Sequence, residues 1–395
     1  MRQHRKVGKM RSQSSPDPIK TWLARLLCGE EPGAIPDEAK LLATAKTEGV
    51  LALCQYYLRR TSAWNLCSTT LRTALTQAVY SEVGLEMVRA EELRKVLTAL
   101  AQQNLPVLIL KGAALAYSLY PEPHLRSRCD TDLLLSCRQE AEQALDSLRS
   151  LEYQPSHTIP DNLVCYEIGC YKTSPRGLNN FLDVHWRLSN SALFAERFTF
   201  SELAATAVPI PSLGPHAYGL APTLALLLAC IHRITNLWSG NADRLIWTYD
   251  IHLLATGCSD AQWQQIAQVA EERKICGPCL DGLQIAKSLF GTKLPGDIEY
   301  RFQVSSEKER WNYNWLAFRS LPSKKMFIYW IFRYLFPGIH YMRIKYNFHN
   351  PFFLPWFYGL RLVQGVVKEI SLRRITLNNQ KRYRESVLKN YESKP

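Results

Sequence analysis

Asp130 and Asp132 stand one residue apart at the head of an apolar run, Leu133 to Leu135. In a strand, residues i and i+2 share a face, with Cα atoms roughly 6.5 to 7 Å apart. Two carboxylates so placed can grip one hard cation, or two that share a bridging oxygen. A third acid lies in Phe181-Leu182-Asp183-Val184-His185-Trp186, where strand alternation puts Asp183 and His185 on one face and Leu182, Val184 and Trp186 on the other. Upstream, Lys111-Gly112 follows the apolar run Val107 to Leu110. At a strand-to-helix turn such a pair suits a phosphate: glycine lets the backbone approach, a helix N-terminus favours anions, and lysine supplies a point charge. Arg126, four residues before Asp130, is a second phosphate candidate.

This set of residue types suits metal-dependent phosphoryl or nucleotidyl transfer, in which charge develops on the attacking, bridging and nonbridging oxygens. Two divalent cations about 3.5–4 Å apart can clamp those oxygens for in-line displacement. Mg²⁺ is usually held by one or two carboxylates together with substrate phosphates and water. The expectation is therefore two Mg²⁺ ions, with Mn²⁺ as a substitute. Asp130 and Asp132 hold one, and Asp183 holds the other and helps deprotonate an acceptor hydroxyl. Each motif has a plainer reading. An Asp-x-Asp is common in solvated loops, and Asp183 alone suits a surface position. His185 is a metal ligand, a base or a half-buried structural histidine. His232 lies on a helical pattern with apolar neighbours, where a structural role is favoured. Asp243, Arg244 and Asp250 either position a nucleotide or cap and pair on a helix. The order of the motifs, with a strand-sized run around each acid, carries the joint reading.

The elements that must position these residues can be read from periodicity and punctuation. Helical patterns cover Trp22 to Leu27, a segment beginning at Pro36-Asp37-Glu38 with a break at Gly49, and a long stretch from Thr69 to Gln103. In the last, Leu71, Leu75, Val79, Val83, Met87, Leu93, Val96 and Leu100 keep a helical interval. A strand at 107–110, the acidic strand, a helix from Arg138 to Leu151, a strand at 163–172, a turn at 174–180 and the strand at 181–186 make a small α/β core. Helices follow at Leu220 to Trp238, from Asn241 through Leu253, at 260–273 and at 280–290. The fold class is α+β: a small mixed-sheet core flanked by helical regions. The predicted divisions are a basic tail (1–17), an N-terminal helical subdomain (18–104), the α/β core (105–210), a helical domain (211–300) and a basic, aromatic C-terminal region (301–395).

Composition bounds the possibilities. The chain has 395 residues, 47% hydrophobic and 21% charged, which suits a globular protein with a sizeable core. Its formal net charge of +13 belongs to residues 301–395, which hold 18 Lys and Arg against 5 Asp and Glu. The same segment holds 21 of the 43 aromatics, including Tyr334, Tyr346, Phe348 and Trp356 among Arg333, Arg343 and Lys345. Such interleaving suits an anionic membrane surface, or less readily a nucleic-acid backbone with stacked bases; a helical cap with solvated charges is the plain reading. Eleven scattered cysteines suggest reduced thiols in a cytoplasmic protein, and Cys276-Gly-Pro-Cys279 has no partner motif for zinc. The basic N-terminus lacks the apolar core of a secretory signal, and no run of 18 apolar residues predicts a membrane span. The alternative to an enzyme is a degenerate binding protein that contacts membrane or nucleic acid through residues 301–395.

The segments LKGAAL, LYPEPHLRSRCDTDLLL, FLDVHWRL and LLACIHR followed by ADRLIWTYDIHLLA resemble the uncharacterised nucleotidyltransferase family of bacteria over about residues 40–350. The resemblance implies a polymerase-β-like nucleotidyltransferase fold, with Asp130 and Asp132 as metal ligands and Asp183 as the third acid. It also implies an NTP as one substrate; on the reading of the residues above, Lys111, Gly112 and Arg126 lie at the nucleotide and His185, His232 and Arg244 are accessory residues. The acceptor stays unidentified (a small molecule, saccharide or peptide), and members are associated with polysaccharide or peptide natural-product gene clusters. The broader superfamily keeps Gly-Ser or Gly-Gly at the first turn, whereas Gly112 is followed here by Ala113, which leaves the phosphate contact to Lys111.

Overall fold

A computed structural model of the chain describes residues 17–155, 166–174, 177–238, 241–309 and 350–364, with Phe336, Met342 and Tyr346. Two compact units are present. The first holds the described residues of 17–235 and 243–309; the second holds those of 236–242 and 336–364. The predicted basic tail 1–16 and most of the basic aromatic segment, including Arg333, Tyr334, Arg343, Lys345 and Phe348, lie outside the described residues. Within the second unit, Phe336 meets Tyr358 edge-on at 5.5 Å and Tyr346 stacks on Phe357 at 5.1 Å.

The first unit opens with helices α1 (Pro18–Leu27), α2 (Glu38–Thr47), α3 (Leu51–Leu58), α4 (Ala63–Leu66) and α5 (Thr69–Gln102). Three of them, α1, α2 and α5, start at side-chain caps: Asp17, Asp37 and Ser68 accept from the backbone N–H groups of Ile19, Lys40 and Leu71. The core then runs β1 (Leu108–Leu110), α6 (Lys111–Ser118), β2 (Asp130–Leu134), α7 (Arg138–Ser150), β3 (Gln154–Pro155), β4 (Glu167–Thr173) and β5 (Asn179–His185). Short helices α8 (Ala192–Ala195) and α9 (Phe200–Ala205) lead to β6 (Val208–Pro209) and β7 (Tyr218–Gly219). Helices α10 (Pro222–Trp238), α11 (Leu245–Thr256), α12 (Asp260–Arg273), α13 (Cys276–Phe290) and α14 (Gly296–Lys308) complete it. The last of these runs across residue 300, and α13 starts before the predicted 280, so Cys276 and Cys279 are buried in its first turn.

The seven strands form one mixed sheet in the order β3-β4-β5-β2-β1-β7-β6. Strands β1 and β2 are antiparallel, β2 and β5 parallel, and β4 and β5 antiparallel. This is the α+β class expected. Alternation divides the central strands: Leu133, Leu182 and Val184 enter a core with Leu93, Val96 and Leu97 of α5 and Ala141, Ala144 and Leu148 of α7. Asp130, Asp132, Asp183 and His185 therefore take the opposite face.

One expectation for α5 changes. Met87 is 68% exposed, while Glu86 is buried. Successive steps of four residues each advance by 400°, so Met87 stands about 160° around the helix from Leu71, and Glu86 only about 60°. Leu71, Leu75, Ala90, Leu93, Val96, Leu97 and Leu100 share the narrower face and are buried with Glu86.

Candidate metal and phosphate site

Register brings the acids together. Asp132 of β2 lies directly opposite Asp183 of β5 and, on its other side, Leu110 of β1, the residue before Lys111. His185 lies two residues beyond Asp183 on the same face. One ligand atom from each of Asp132, Asp183 and His185 lies within 4.8 Å of the other two. Gly169 pairs with Asp183 on the outer side, so β4 brings no side chain in front of that carboxylate, and Glu167 pairs with His185.

Contacts within the cluster are unequal. Asp132 Oδ1 accepts from Lys111 Nζ at 2.6 Å and contacts His185 Nε2 at 2.9 Å. His185 Nδ1 is 3.2 Å from Glu167 Oε2, yet it makes no well-directed hydrogen bond. Distance favours that pair and direction does not; we read it as an electrostatic contact that turns the ring toward Asp132. Burial works against charge on Asp132, but Lys111 and His185 outweigh it and hold the carboxyl below its ordinary range. Asp183 is half-buried, and its side chain makes no hydrogen bond or ion pair among the described residues. Burial, and then the negative charge of Glu167, Asp132 and Asp130, push its pKa up to about 6. Burial, then Asp132, raises that of Asp130 as well. Asp130 shares the face of Asp132 at the exposed head of β2.

Lys111 is the first residue of α6 and has a φ of 52°. A non-glycine residue in the left-handed region costs on the order of 1–3 kcal/mol and persists where the surroundings over-determine it. Here the β1 pairing on one side and the ammonium–Asp132 contact on the other set both ends of the residue. Burial opposes the charge on Lys111, while Asp132, then Glu167 and Asp130, more than offset it and raise its pKa. Gly112 follows because of what lies beside it: a Cβ there would stand 3.3–3.4 Å from the Arg126 guanidinium. Ala113 is 1% exposed and belongs to the hydrophobic core. A hydroxyl at that position would have to be buried rather than reach a phosphate.

Arg126 is placed beside the turn, and each of its three nitrogens already donates within the protein. It grips Asp250 of α11 through Nε–Oδ1 at 2.8 Å and Nη2–Oδ2 at 2.6 Å, and Nη1 donates to the Ser127 carbonyl at 2.7 Å. Tyr120 donates to the same Asp250 at 2.7 Å. The His232 ring meets Trp247 edge-on at 5.5 Å. Burial, then Lys111, lowers the His232 pKa to about 3, so the ring is neutral at neutral pH. Arg244 turns away, donating to the Thr47 carbonyl at 3.1 Å. Asp243 pairs with Arg233, which also grips Asp281.

Two residues went unnoticed in the sequence. Glu167 heads β4, and only the strand register reveals that it faces His185. Arg128, two residues before Asp130, pairs with the buried Glu86 at 2.9 Å and donates to the Asp130 carbonyl at 3.0 Å and to Thr131 Oγ1. Glu86 also accepts from Tyr117 at 2.7 Å. The available signal was an acid on the apolar face of a long helix.

A strand-borne group of carboxylates with an orienting histidine, beside a lysine-glycine turn, defines an α+β protein with a candidate divalent-cation site. The chain matches the uncharacterised nucleotidyltransferase family over residues 36–291 and belongs to it. The match ends short of the C-terminal limit of about 350 that the motifs suggested. Membership makes the chain a transferase of the nucleotidyl kind. Comparison with curated proteins finds no match.

Proposed function

We propose that the protein transfers a nucleoside monophosphate from an NTP to a hydroxyl of an acceptor, releasing pyrophosphate, in a divalent-cation-dependent reaction. The observation that carries this reading is the Asp183 carboxylate. It stands across from Asp132 with its pKa pushed up to about 6, and no described side chain offers it a hydrogen bond or ion pair. A carboxylate held among like charges suits a cation.

The residues fit such a group. Asp132 and Asp183, with Asp130 at the strand head, would hold Mg²⁺, with Mn²⁺ as a substitute. When bound, the cations neutralise charge developing on the phosphoryl oxygens. His185 acts through Asp132, fixing its Oδ1 at 2.9 Å, and is a positioning residue. Lys111 offers a point charge to the phosphates and holds Asp132 in place. Asp183 is suited to accept the acceptor's hydroxyl proton, because its carboxylate faces the site beside Asp132 and accepts no hydrogen bond from a described side chain. The new bond joins the acceptor oxygen to the α-phosphorus, and the bond from that phosphorus to the β-bridging oxygen breaks. Arg126 and Gly112 set the position of the turn. His232 is an inner wall rather than a base.

The less specific parts of the reading concern setting. Among the described residues no helix is long and apolar enough to cross a membrane. We place the reaction in the cytoplasm, with a saccharide, peptide or other small molecule as acceptor and a peripheral contact with anionic membrane through the basic segment. The deciding experiment is pyrophosphate release from each of the four NTPs with Mg²⁺ or Mn²⁺. Turnover that disappears in Asp132→Asn and with chelator supports the proposal. Turnover that survives both overturns it.

A further inference from the structure

A cavity of about 220 Å³ lies behind the Lys111 turn, walled by α6, α10, α11 and the β6–β7 pair. Most of its surface is apolar, from residues such as Ile109, Ala114, Leu228 and Leu253. Gly219 keeps it open: a Cβ there would stand 3.1 Å from Ile210 Cδ1 and 3.4 Å from Ala114 Cβ. Several polar groups in the wall are already engaged. Ser118 donates to the Ala114 carbonyl at 2.9 Å, Asp250 is gripped by Arg126, and Gln262 Oε1 caps α12 at the Ser259 N–H, 2.9 Å away. At one end stand Gly112, His232 and Lys111, whose ammonium is 2.6 Å from Asp132.

This space has an apolar body and a polar end that reaches the acids through Lys111. We propose that it is the acceptor subsite, and that the acceptor is an amphipathic alcohol: an apolar body fills the cavity and the hydroxyl lies at the Lys111 end. The proposal rests on the nucleotidyl-transfer reading above. A volume of this size holds roughly seven water-sized groups. It falls below the roughly 300 Å³ at which pockets for whole drug-sized ligands begin, so it takes part of a molecule. A nucleobase fits its chemistry poorly. With most of the wall apolar, its ring nitrogens and exocyclic groups would find few partners, a cost that methylene groups do not carry.

The test uses the full chain and a homologous series of primary alkanols, from butanol to decanol, titrated by calorimetry. Affinity is expected to tighten about fourfold per added methylene, then level off near six to eight carbons as the cavity fills. Ala225 and Ala229 lie one turn apart on α10, half-buried in the cavity wall. Ala225→Leu and Ala229→Leu are expected to weaken octanol at least tenfold with the melting temperature retained, and Gly219→Val gives an independent filling from the sheet. In the pyrophosphate assay octanol is expected to stimulate release, and butanol much less. Binding without chain-length dependence, or untouched by all three variants, overturns the cavity assignment. Displacement of octanol by an NTP overturns it in favour of the nucleobase. Binding without stimulation, while NTP is turned over, overturns the acceptor role. Absent NTP turnover with an intact alkanol isotherm overturns the transfer reading itself, and the isotherm tells that failure apart from failure of the cavity.

Discussion

Two groups of charges border the central strands, and they are built to opposite rules. Around Arg126–Asp250 and Arg128–Glu86 every charge meets its opposite through paired hydrogen bonds, with tyrosines adding further donors. Around Asp132, Asp183 and Glu167, carboxylates outnumber their described cations, and the Asp183 side chain makes no hydrogen bond or ion pair among the described residues. The first arrangement is a frame. Buried and neutralised, it ties α5 and α11 to the loop and the strand that carry the acids. The second is left with an excess of negative charge among the described residues. Charge balance, more than burial, separates the residues that hold the structure from those proposed to act.

The largest expected effect breaks the frame. Arg128→Ala leaves Glu86 buried without its cation and should cost about 3–5 kcal/mol in a urea unfolding titration; Asp250→Asn should destabilise in the same direction. Next comes the site. Asp183→Asn should lower NTP turnover about 10²- to 10³-fold while leaving unfolding unchanged or shifted to higher urea, because it removes like-charge repulsion. Were Asp183→Asn to unfold the protein and Asp250→Asn only to slow it, the division into frame and site would be reversed.

A smaller effect is carried by protons. The Asp183 carboxyl titrates near pH 6 in the folded chain and near 4 when unfolded. Between those values the folded state binds the extra proton, so this residue makes stability fall as pH rises from about 4 to about 6. Melting curves across that range should lose part of their slope in Asp183→Asn. Added Mn²⁺ should raise the melting temperature more at pH 7.5 than at pH 5, where the proton competes. An equal rise at both would separate the cation from Asp183. The smallest effect joins the two regions. Gly112→Ala presses a methyl group against the Arg126 guanidinium at 3.3–3.4 Å. It should cost about 1 kcal/mol of stability and raise the KM for NTP, and a change in neither would show that the turn is indifferent to its neighbour.

Local patterns made most of the elements legible. The helix from Thr69 ended within a residue of its predicted limit, and the acidic strand and the strand bearing Asp183 were found because alternation of period two is a short-range property. The same short range misjudged Met87, since an interval of four drifts around a long helix. Arg126 could be seen as a cation near phosphate-ready residues, but not as a cation already spent on Asp250, 124 positions away.

The amino-acid order by itself determined the residue types, the strand alternation that puts Asp130 with Asp132 and Asp183 with His185, and the family. Only the tertiary structure decided that Asp132 stands opposite Asp183, that Glu167 backs His185, and that Ala113 is core. Those are facts of register between strands and of burial between layers. Hydrogen-bonded pairing and the exclusion of water act between residues distant in the chain, where spacing along it carries no information.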